Sequence, residues 1–483
     1  MPAARRPFAS LGIFSARDSR IRREPGAGRR SRSIDRRRTV RPRRRRHMQA
    51  DLETRVARKL MWRIIPFVML LYFVSFLDRV NVGFAAMTMN QAIGLSPTAF
   101  GFGGGLFFIG YFLFEVPSNL ILHRVGARIW IARVMITWGI VSAVSAFAAG
   151  PTSFYVLRFL LGMAEAGFFP GIILYLSLWF PAKQRAVAAA WFMAAAPIST
   201  AIGSPLSGAI MQMPPMFGLA DWQMLYIVEA LPAVVLGFVV LKRLTDAPSQ
   251  AAWLRADERD WLIAKLKAEA DARHTHVGHT AGAWQALRDP RVLALALIYF
   301  GTSAGLYTLG LWAPLMVKQF GFTALQTGLL TGIPSIAAVV AMIVWARHSD
   351  RTGERTWHVV IPCVLACIGF VFAAQASTAL LTVLALVVVN IGISAAKAPL
   401  WAMPSAFLSG AGAAAGIAMI NSIGNLGGFV GPFAIGWLKH ATGGYAAGLY
   451  VVAGTLAVSA VVTLMLSRKG AREAAVPGVR HHS

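Results

Sequence analysis

Long apolar stretches recur along most of the chain, separated by short polar segments. Six lie near residues 60–83, 98–121, 129–148, 152–179, 186–211 and 223–241, and six more lie near 291–317, 324–346, 357–376, 379–403, 413–438 and 445–466. Each is long enough to cross the hydrocarbon core of a bilayer, which takes about 20 residues of helix. The bilayer core offers no water to satisfy backbone polar groups, so each stretch is predicted to be a helix. The pattern predicts an all-α membrane protein with 12 transmembrane helices.

Composition agrees with this pattern. Hydrophobic residues make up 56% of the chain and charged residues 14%, whereas a soluble domain carries about 25% charged residues. These values argue against a soluble enzyme. The two cysteines, Cys363 and Cys367, lie one turn apart in an apolar stretch and are interpreted as small buried hydrophobic residues rather than a disulfide or metal pair.

The formal net charge of +27 is unevenly distributed. Residues 1–47 hold seventeen arginines against three acids and contribute +14, and the rest of the chain contributes +13. This Arg-rich extension lacks an apolar run and is predicted to be disordered. A nucleic-acid arm or a lipid tether is an alternative. We favour a solvated extension, or an upstream stretch outside the native protein, because Met48 opens a segment typical of a cytoplasmic start.

The distribution of lysine and arginine between loops predicts the orientation. Basic residues precede the first stretch and occupy the 2–3, 4–5, 6–7 and 8–9 loops, whereas none occurs from Val80 to Leu122. By the positive-inside rule both termini are cytoplasmic. We expect a multi-pass protein of a bacterial-type inner (plasma) membrane.

A short motif recurs after six helices. Residues 123–128 read HRVGAR and residues 350–355 read DRTGER, so both contain Arg-x-Gly-x-Arg. Duplication of a six-helix half in the same orientation explains this spacing. The predicted organisation is the extension at 1–47, an N-terminal six-helix bundle at 48–243, a cytoplasmic linker at 244–289, a C-terminal six-helix bundle at 290–467 and a cytoplasmic tail at 468–483.

The linker is the longest hydrophilic insertion. Five apolar residues at helical spacing predict a surface helix in it: Trp253, Leu254, Trp261, Leu262 and Leu266. Three histidines follow, at 274, 276 and 279. We interpret them as solvated rather than as a metal site, because no carboxylate or cysteine completes a ligand set.

Of the charged residues inside the predicted helices, seven are singled out as candidates. They are Asp78, Arg79, Glu115, Arg158, Glu165, Glu229 and Lys397. A charge at the centre of a bilayer costs several kcal/mol, so each is a candidate functional residue. We interpret Glu115 and Glu229 as structural. For Lys397 two interpretations stay open, a third cavity cation or a side chain that reaches the membrane interface.

Arg158 and Glu165 are seven residues apart, which places them on one helix face about 10 Å apart along the axis. Gly162 lies nearly on that face and would leave room for a ligand or a neighbouring helix. Asp78 and Arg79 are sequence neighbours and can both border a central cavity. The alternative interpretation is two structural ion pairs that lock the bundle.

The residue types favour an anionic solute. Arginine stays protonated and matches a carboxylate with its planar fork. When an anion occupies the arginine, a nearby carboxylate loses its stabilising partner and binds a proton more readily. Anion and proton then bind cooperatively, and this coupling is reciprocal. The predicted activity is proton–anion symport.

Several stretches resemble known transporters. The helix pattern and the repeated loop motif are similar to the major facilitator superfamily. Within it, FLDRVNVGFA, GYFLFEVPSNLILHRVGAR and RFLLGMAEAGFFPG resemble the anion:cation symporter family of organic-anion permeases, as do LYIVEALPAVVLG, LWAPLMVKQFG, APLWAMPSAFL and NSIGNLGGFVGP. The resemblance covers roughly residues 55–465.

The resemblance implies roles for particular residues. Proton coupling falls to Asp78 and Glu165, and substrate binding to Arg79, Tyr111, Arg158, Trp401, Asn421 and Asn425. Gating falls to Arg124, Gly126, Arg128, Asp350, Arg351 and Gly353 in the two loop motifs. Trp401 has an alternative interpretation as a membrane-interface aromatic.

The chain departs from the family pattern at three places. His123 stands where the loop motif usually carries an acid, the fifth helix lacks a glutamine that would contact a sugar acid, and Lys397 is atypical. The last two departures favour an aromatic acid or a dicarboxylate over a heavily hydroxylated sugar acid.

The sequence thus predicts a proton-coupled symporter that imports an organic carboxylate by alternating access. We expect no cofactor, a monomer, no nucleic-acid partner, and protons, a small organic carboxylate and the lipid bilayer as partners. A drug exporter is the alternative transporter, but it would prefer cationic or neutral solutes. A membrane sensor would need an output domain, and a membrane enzyme would need a nucleophile–base set or metal ligands.

Overall fold

The computed structural model describes residues 36–274, 288–404, 408 and 410–475. The helices are α1 (Arg36–Ala92), α2 (Pro97–Val125), α3 (Ala127–Val144), α4 (Pro151–Glu165), α5 (Phe168–Trp179), α6 (Ala182–Ile210), α7 (Asp221–Arg243), α8 (Ala256–His274), α9 (Pro290–Lys318), α10 (Ala324–Thr352), α11 (Thr356–Gln375), α12 (Ala379–Ala402), α13 (Gly410–Asn425), α14 (Gly427–Thr442) and α15 (Ala446–Ala475). Most of the predicted extension, the end of the tail, and the histidines at 276 and 279 lie outside the described residues.

The described helices include 12 that are long and apolar enough to cross a membrane. This confirms the predicted all-α class and the number of spans. Ten spans are single helices, whereas α4 with α5 and α13 with α14 each form one interrupted span. The first interruption lies at Gly167, whose φ of 88° suits glycine and whose α-carbon lies against the Ser118 side chain. A side chain at position 167 would be strained by the positive φ and would clash with Ser118.

The bundle belongs to the unit that begins at Thr54. Because successive spans alternate in direction, one face of the bundle carries the residues of α1 that follow Thr54 and the two loops with the repeated sequence motif. We call this the basic face and the other the opposite face.

Near the opposite face the two six-helix halves touch closely. Gly83 of α1 faces the backbone carbonyl of Gly310 in α9, and Gly101 of α2 faces that of Pro432 in α14. Small residues at such crossings let helix backbones approach within van der Waals contact. The ring of Phe100 also packs edge-on against Trp312, with centroids 5.1 Å apart. The halves are therefore closed against each other at this end.

The predicted linker helix runs as α8 and packs on the first half. Trp253 stacks on Trp179 with ring centroids 5.5 Å apart. The buried carboxylate of Glu258 accepts a hydrogen bond from Lys59 at 2.6 Å and one from the backbone N–H of Arg255 at 3.1 Å. Burial favours the neutral acid, but these donors outweigh it and hold the pKa of Glu258 below its ordinary value. The linker is thus anchored by both apolar and charged contacts.

Candidate functional site

An ion pair between α1 and α4 forms the centre of the site. Nε of Arg79 donates to Oε1 of Glu165 at 2.7 Å, and Nη2 of Arg79 lies 2.7 Å from the same oxygen. Ser75 donates to that oxygen at 2.6 Å. The Arg79 and Glu165 side chains are only 8% and 1% exposed. In this structure the buried arginine already holds a carboxylate of the protein itself.

Asp78 faces a different set of partners from its neighbour in sequence. The Ser142 hydroxyl and Nδ2 of Asn81 both donate to Oδ1 of Asp78, the latter at 3.0 Å. Oδ2 of the buried Asp78 has no hydrogen-bond partner among the described residues. Asp78 therefore sits inside the first half, held by neutral donors, with one oxygen free to carry a proton.

Arg158 does not pair with Glu165. Its side chain is buried, and Nε and Nη1 have no hydrogen-bond partner in the described part of the chain. Its guanidinium lies 5.2 Å from the centroid of the Phe107 ring and within electrostatic range of Asp78 and Glu165. Gly162 contacts the Phe107 carbonyl, so its missing side chain makes room for α2 rather than for a ligand.

Both guanidinium groups lie close to the ring of Phe107. Arg79 lies 5.5 Å from its ring centroid, and Arg158 lies 5.2 Å from it. Tyr111, one turn further along α2, presents its ring to Arg79 at 5.3 Å. Tyr111, which the resemblance selects for substrate binding, thus contacts a cation of the protein with its ring. Phe107 has no sequence signal beyond being one of many apolar residues in α2.

Glu229 of α7 lies near Asp78 inside the first half. Ser207 donates to its Oε1 at 2.6 Å, and Asp78 is within electrostatic range. The side chain is buried, and Oε2 has no hydrogen-bond partner among the described residues. Two carboxyl groups so close in an apolar interior disfavour simultaneous ionisation.

An internal cavity opens beside the ion pair, between the two halves. Its polar lining consists of Arg79, Thr200, Ser204, Tyr307, Thr331, Ser335, Asn390, Ser394 and Lys397. Nη1 of Arg79 donates to the Tyr307 hydroxyl at 3.4 Å. Tyr307 lies in α9 and has no sequence feature that marks it as a site residue. Lys397 also lies in the cavity wall.

The residues of the second half that are predicted to bind substrate are Trp401 on α12 and Asn421 and Asn425 on α13. They are not among the described residues that line the cavity. Nδ2 of Asn421 donates to Oε1 of Glu115 at 2.7 Å, and Ser422 donates to the other oxygen at 3.1 Å. These bonds join α13 to α2 across the two halves. Trp401 packs edge-on against Tyr299, with centroids 5.0 Å apart. Asn425 is buried.

The predicted gating residues occupy two loops on the basic face. At the first loop Gly126 adopts a φ of 94°, and the backbone N–H of Arg128 donates to Oδ1 of Asp246 at 2.9 Å. Nε of Arg128 also lies 3.3 Å from Oδ2 of Asp246. Asp246 follows α7, so its carboxylate joins the end of the sixth span to the start of the third.

At the second loop the pairing is internal to the motif. Arg355 lies 2.8 Å from Oδ1 of Asp350, and Gly353 adopts a φ of 68°. Arg124 of the first loop and Arg351 of the second are exposed. In both motifs the last arginine pairs with a carboxylate. For Arg128 this is Asp246, which lies outside the motif, and for Arg355 it is Asp350, which lies inside it.

Known proteins share both the sequence and the fold. Residues 68–432 match the model of the Major Facilitator Superfamily. A protein of Agrobacterium vitis named as a candidate tartrate transporter is 64% identical over 421 residues, covering 87% of this chain and 96% of that protein. A quinolone resistance transporter of Acinetobacter baumannii is 40% identical over 428 residues, covering 88% of this chain and 97% of that protein.

A solved structure shows the same fold. The crystal structure of a bacterial homologue of the human lysosomal transporter Spinster, inward-facing and unoccupied, superposes with a TM-score of 0.70. The identity is 14%, and the match covers 86% of this chain and 98% of that chain. With twelve spans, a duplicated loop motif and a central cavity in place, the predicted superfamily is confirmed: the chain belongs to the Major Facilitator Superfamily and is a multi-pass membrane transporter, not an enzyme.

Proposed function

We propose that this transporter is a proton-coupled symporter of an organic carboxylate. The observation that carries the proposal is the Arg79–Glu165 ion pair at the edge of the cavity. A carboxylate of the protein occupies the cation that an incoming carboxylate would need. Substrate and Glu165 therefore compete for one guanidinium.

This competition supplies the coupling. A substrate carboxylate that binds Arg79 displaces Glu165, which is then a buried acid without its cationic partner. Such an acid is more stable protonated, so substrate binding promotes proton uptake and the reverse. Ser75 can still hydrogen-bond the protonated acid, since its hydroxyl can accept as well as donate.

Asp78 and Arg158, which lie deeper in the first half, support the same coupling of anion and proton binding. Asp78 has one unbonded oxygen and lies near Glu229, so a proton placed there relieves the repulsion between two buried acids. Arg158 has unbonded N–H groups beside both the ion pair and Asp78. Movement of the Phe107 ring would give Arg158 access to the substrate.

The closed opposite face supports alternating access. The glycine contacts between α1 and α9 and between α2 and α14 hold this end shut, whereas at the other end of α2 Glu115 binds α13 by hydrogen bonds. Rocking of one half against the other would open one end and close the other around the cavity. With the basic face in the cytoplasm, a proton gradient directed inward drives import.

The relatives bear on the solute. The name of the 64% identical relative supports an organic carboxylate. The quinolone resistance relative makes a drug exporter the second candidate. The charged side chains of the cavity lining, Arg79 and Lys397, are both cations, which disfavours cationic drugs, so we place carboxylate import first.

The test is Glu165→Gln in proteoliposomes. Glutamine keeps the size and hydrogen bonding of the protonated acid but cannot exchange a proton. We expect the variant to exchange labelled tartrate for unlabelled tartrate, and to lose accumulation driven by an inward proton gradient. Glu258→Gln, on the linker helix, is the matched control and should accumulate normally. Unchanged accumulation by Glu165→Gln would refute the coupling role.

A further inference from the structure

Lys397 of α12 is a half-buried cation whose side chain borders the cavity. The described lining of that cavity includes no carboxylate that could balance its charge. A charge inside a membrane protein is unfavourable unless a partner compensates it. An anionic ligand that pairs with Lys397 would provide that compensation.

Arg79 and Lys397 differ in both origin and state. Arg79 comes from the first half and is engaged by Glu165, whereas Lys397 comes from the second half and is available. They border the same cavity from opposite sides of the interface between halves. A ligand that reaches both cations must therefore carry negative charge at two places.

We propose that the substrate is a small dicarboxylate, one carboxylate binding Lys397 and the other Arg79. This inference rests on the proposed function and specifies its substrate class. A single doubly charged group, such as a phosphate, is the competing ligand chemistry, and the experiment below separates the two. Arginine suits a carboxylate as a planar fork and lysine as a point charge.

Because Arg79 is paired with Glu165 and Lys397 lines the cavity without a carboxylate beside it, the two carboxylates of the substrate bind in a defined order. The first carboxylate binds Lys397, which has no competitor. The second reaches Arg79 only by displacing Glu165, and that displacement promotes proton uptake. A monocarboxylate can pair with one of the two cations but not with both, so it binds more weakly than a dicarboxylate and loses less when Lys397 is removed.

The wall of the cavity indicates what lies between the carboxylates. Thr200 and Ser204 present hydroxyl groups from α6, Thr331 and Ser335 from α10, and Asn390 and Ser394 add polar groups from α12. Thr200 and Thr331 already donate to backbone carbonyls of their own helices. A linker that carries hydroxyl groups can hydrogen-bond the other polar side chains of the wall, whereas a plain hydrocarbon linker offers them no partner. We therefore expect a hydroxylated dicarboxylate to bind more tightly than its saturated counterpart.

The experiment compares tartrate with tartrate monomethyl ester, which has nearly the same size and one charge fewer. Binding to the purified full chain and uptake into proteoliposomes are measured for wild type, Lys397→Met and Lys397→Arg. Lys439→Met is the matched control, because Lys439 donates to the Tyr445 hydroxyl at 2.6 Å and is not part of the cavity lining. Thermal unfolding verifies that each variant is folded. Succinate and glycerol phosphate test the hydroxyl groups and the kind of anion.

We expect wild type and Lys439→Met to prefer tartrate over the monoester by about tenfold or more, the effect of one charge-assisted hydrogen bond. Lys397→Met should reduce this preference to about threefold or less by weakening tartrate, and Lys397→Arg should restore much of it. A preference that survives in folded Lys397→Met, or tighter binding of glycerol phosphate than of tartrate, would overturn the inference. If wild type transports no carboxylate at all, the proposed function fails instead.

Discussion

The two halves of the molecule share a topology but distribute charge very differently. Within the described spans the first half buries four acids, Asp78, Glu115, Glu165 and Glu229, and holds Arg79 and Arg158, whereas Lys397 is the charge that the second half presents to the cavity. The second half instead contributes Tyr307 and a polar wall. The two halves therefore have different roles. The first half holds most of the charged groups that can bind substrate or protons, and the second half supplies a polar surface against which the first can close.

This division has a physical reason. Each buried charge costs free energy unless a partner compensates it, and compensation works best among residues of one rigid unit. Asp78, Arg158 and Glu165 lie in helices of the same half, so their mutual distances survive a rocking motion. Contacts across the interface, such as that of Asn421 with Glu115, must instead break and re-form.

The largest expected effect comes from Arg158→Ala. If the first half holds the charge machinery, removal of this guanidinium leaves Asp78 without a nearby cation and the substrate without a donor. We expect carboxylate uptake to fall about 100-fold or more, the range of one or two charge-assisted hydrogen bonds. Lys397→Met, its counterpart in the second half, should retain uptake of the monoester. Normal uptake by Arg158→Ala of every carboxylate tested would contradict the division.

Sequence alone predicts much of this arrangement. A charge inside an apolar stretch is visible without a structure, and the spacing of twelve such stretches gives the fold. Asp78, Arg79, Arg158 and Glu165 stand out for that reason, and the structure brings them into one region of the first half. The partner of each residue is not visible, because pairing depends on how helices rotate against each other.

Two residues show where the sequence signal ends. The ring centroid of Phe107 lies 5.5 Å from the Arg79 guanidinium and 5.2 Å from that of Arg158, yet it is one phenylalanine among 29 in the chain. Asp246 lies in a polar segment far from Arg128 in sequence, and its role follows from the position of the chain after α7. In both cases packing, rather than residue type, creates the contact. Trp401, selected by resemblance, packs on Tyr299 for the same reason.

The repeated loop motif gives a second, smaller test of the comparison. In the first half Asp246 both pairs with Arg128 and accepts its backbone N–H at the start of α3, whereas Asp350 makes an exposed pair inside its own loop. A lost capping bond costs about 1 kcal/mol, and an exposed ion pair contributes a few tenths of that.

We therefore expect Asp246→Asn to lower the unfolding temperature more than Asp350→Asn does, and to slow uptake by a few fold. Thermal unfolding of both variants in detergent, together with initial uptake rates, measures the difference. Equal effects at the two loops would show that the motifs act symmetrically despite their different partners.

The smallest effect is expected at the linker. Glu258 ties α8 to the first half through Lys59, so the linker belongs mechanically with the charge-bearing half. Glu258→Gln should lower the stability by about 1 kcal/mol at neutral pH. Because the pKa of Glu258 is held below its ordinary value of 4.5, its contribution is complete above that pH and is lost as the pH falls further. The unfolding temperatures of wild type and Glu258→Gln should therefore differ at pH 7 and converge in acid. A difference that persists at low pH would mean that the carboxylate acts through packing and not through its charge.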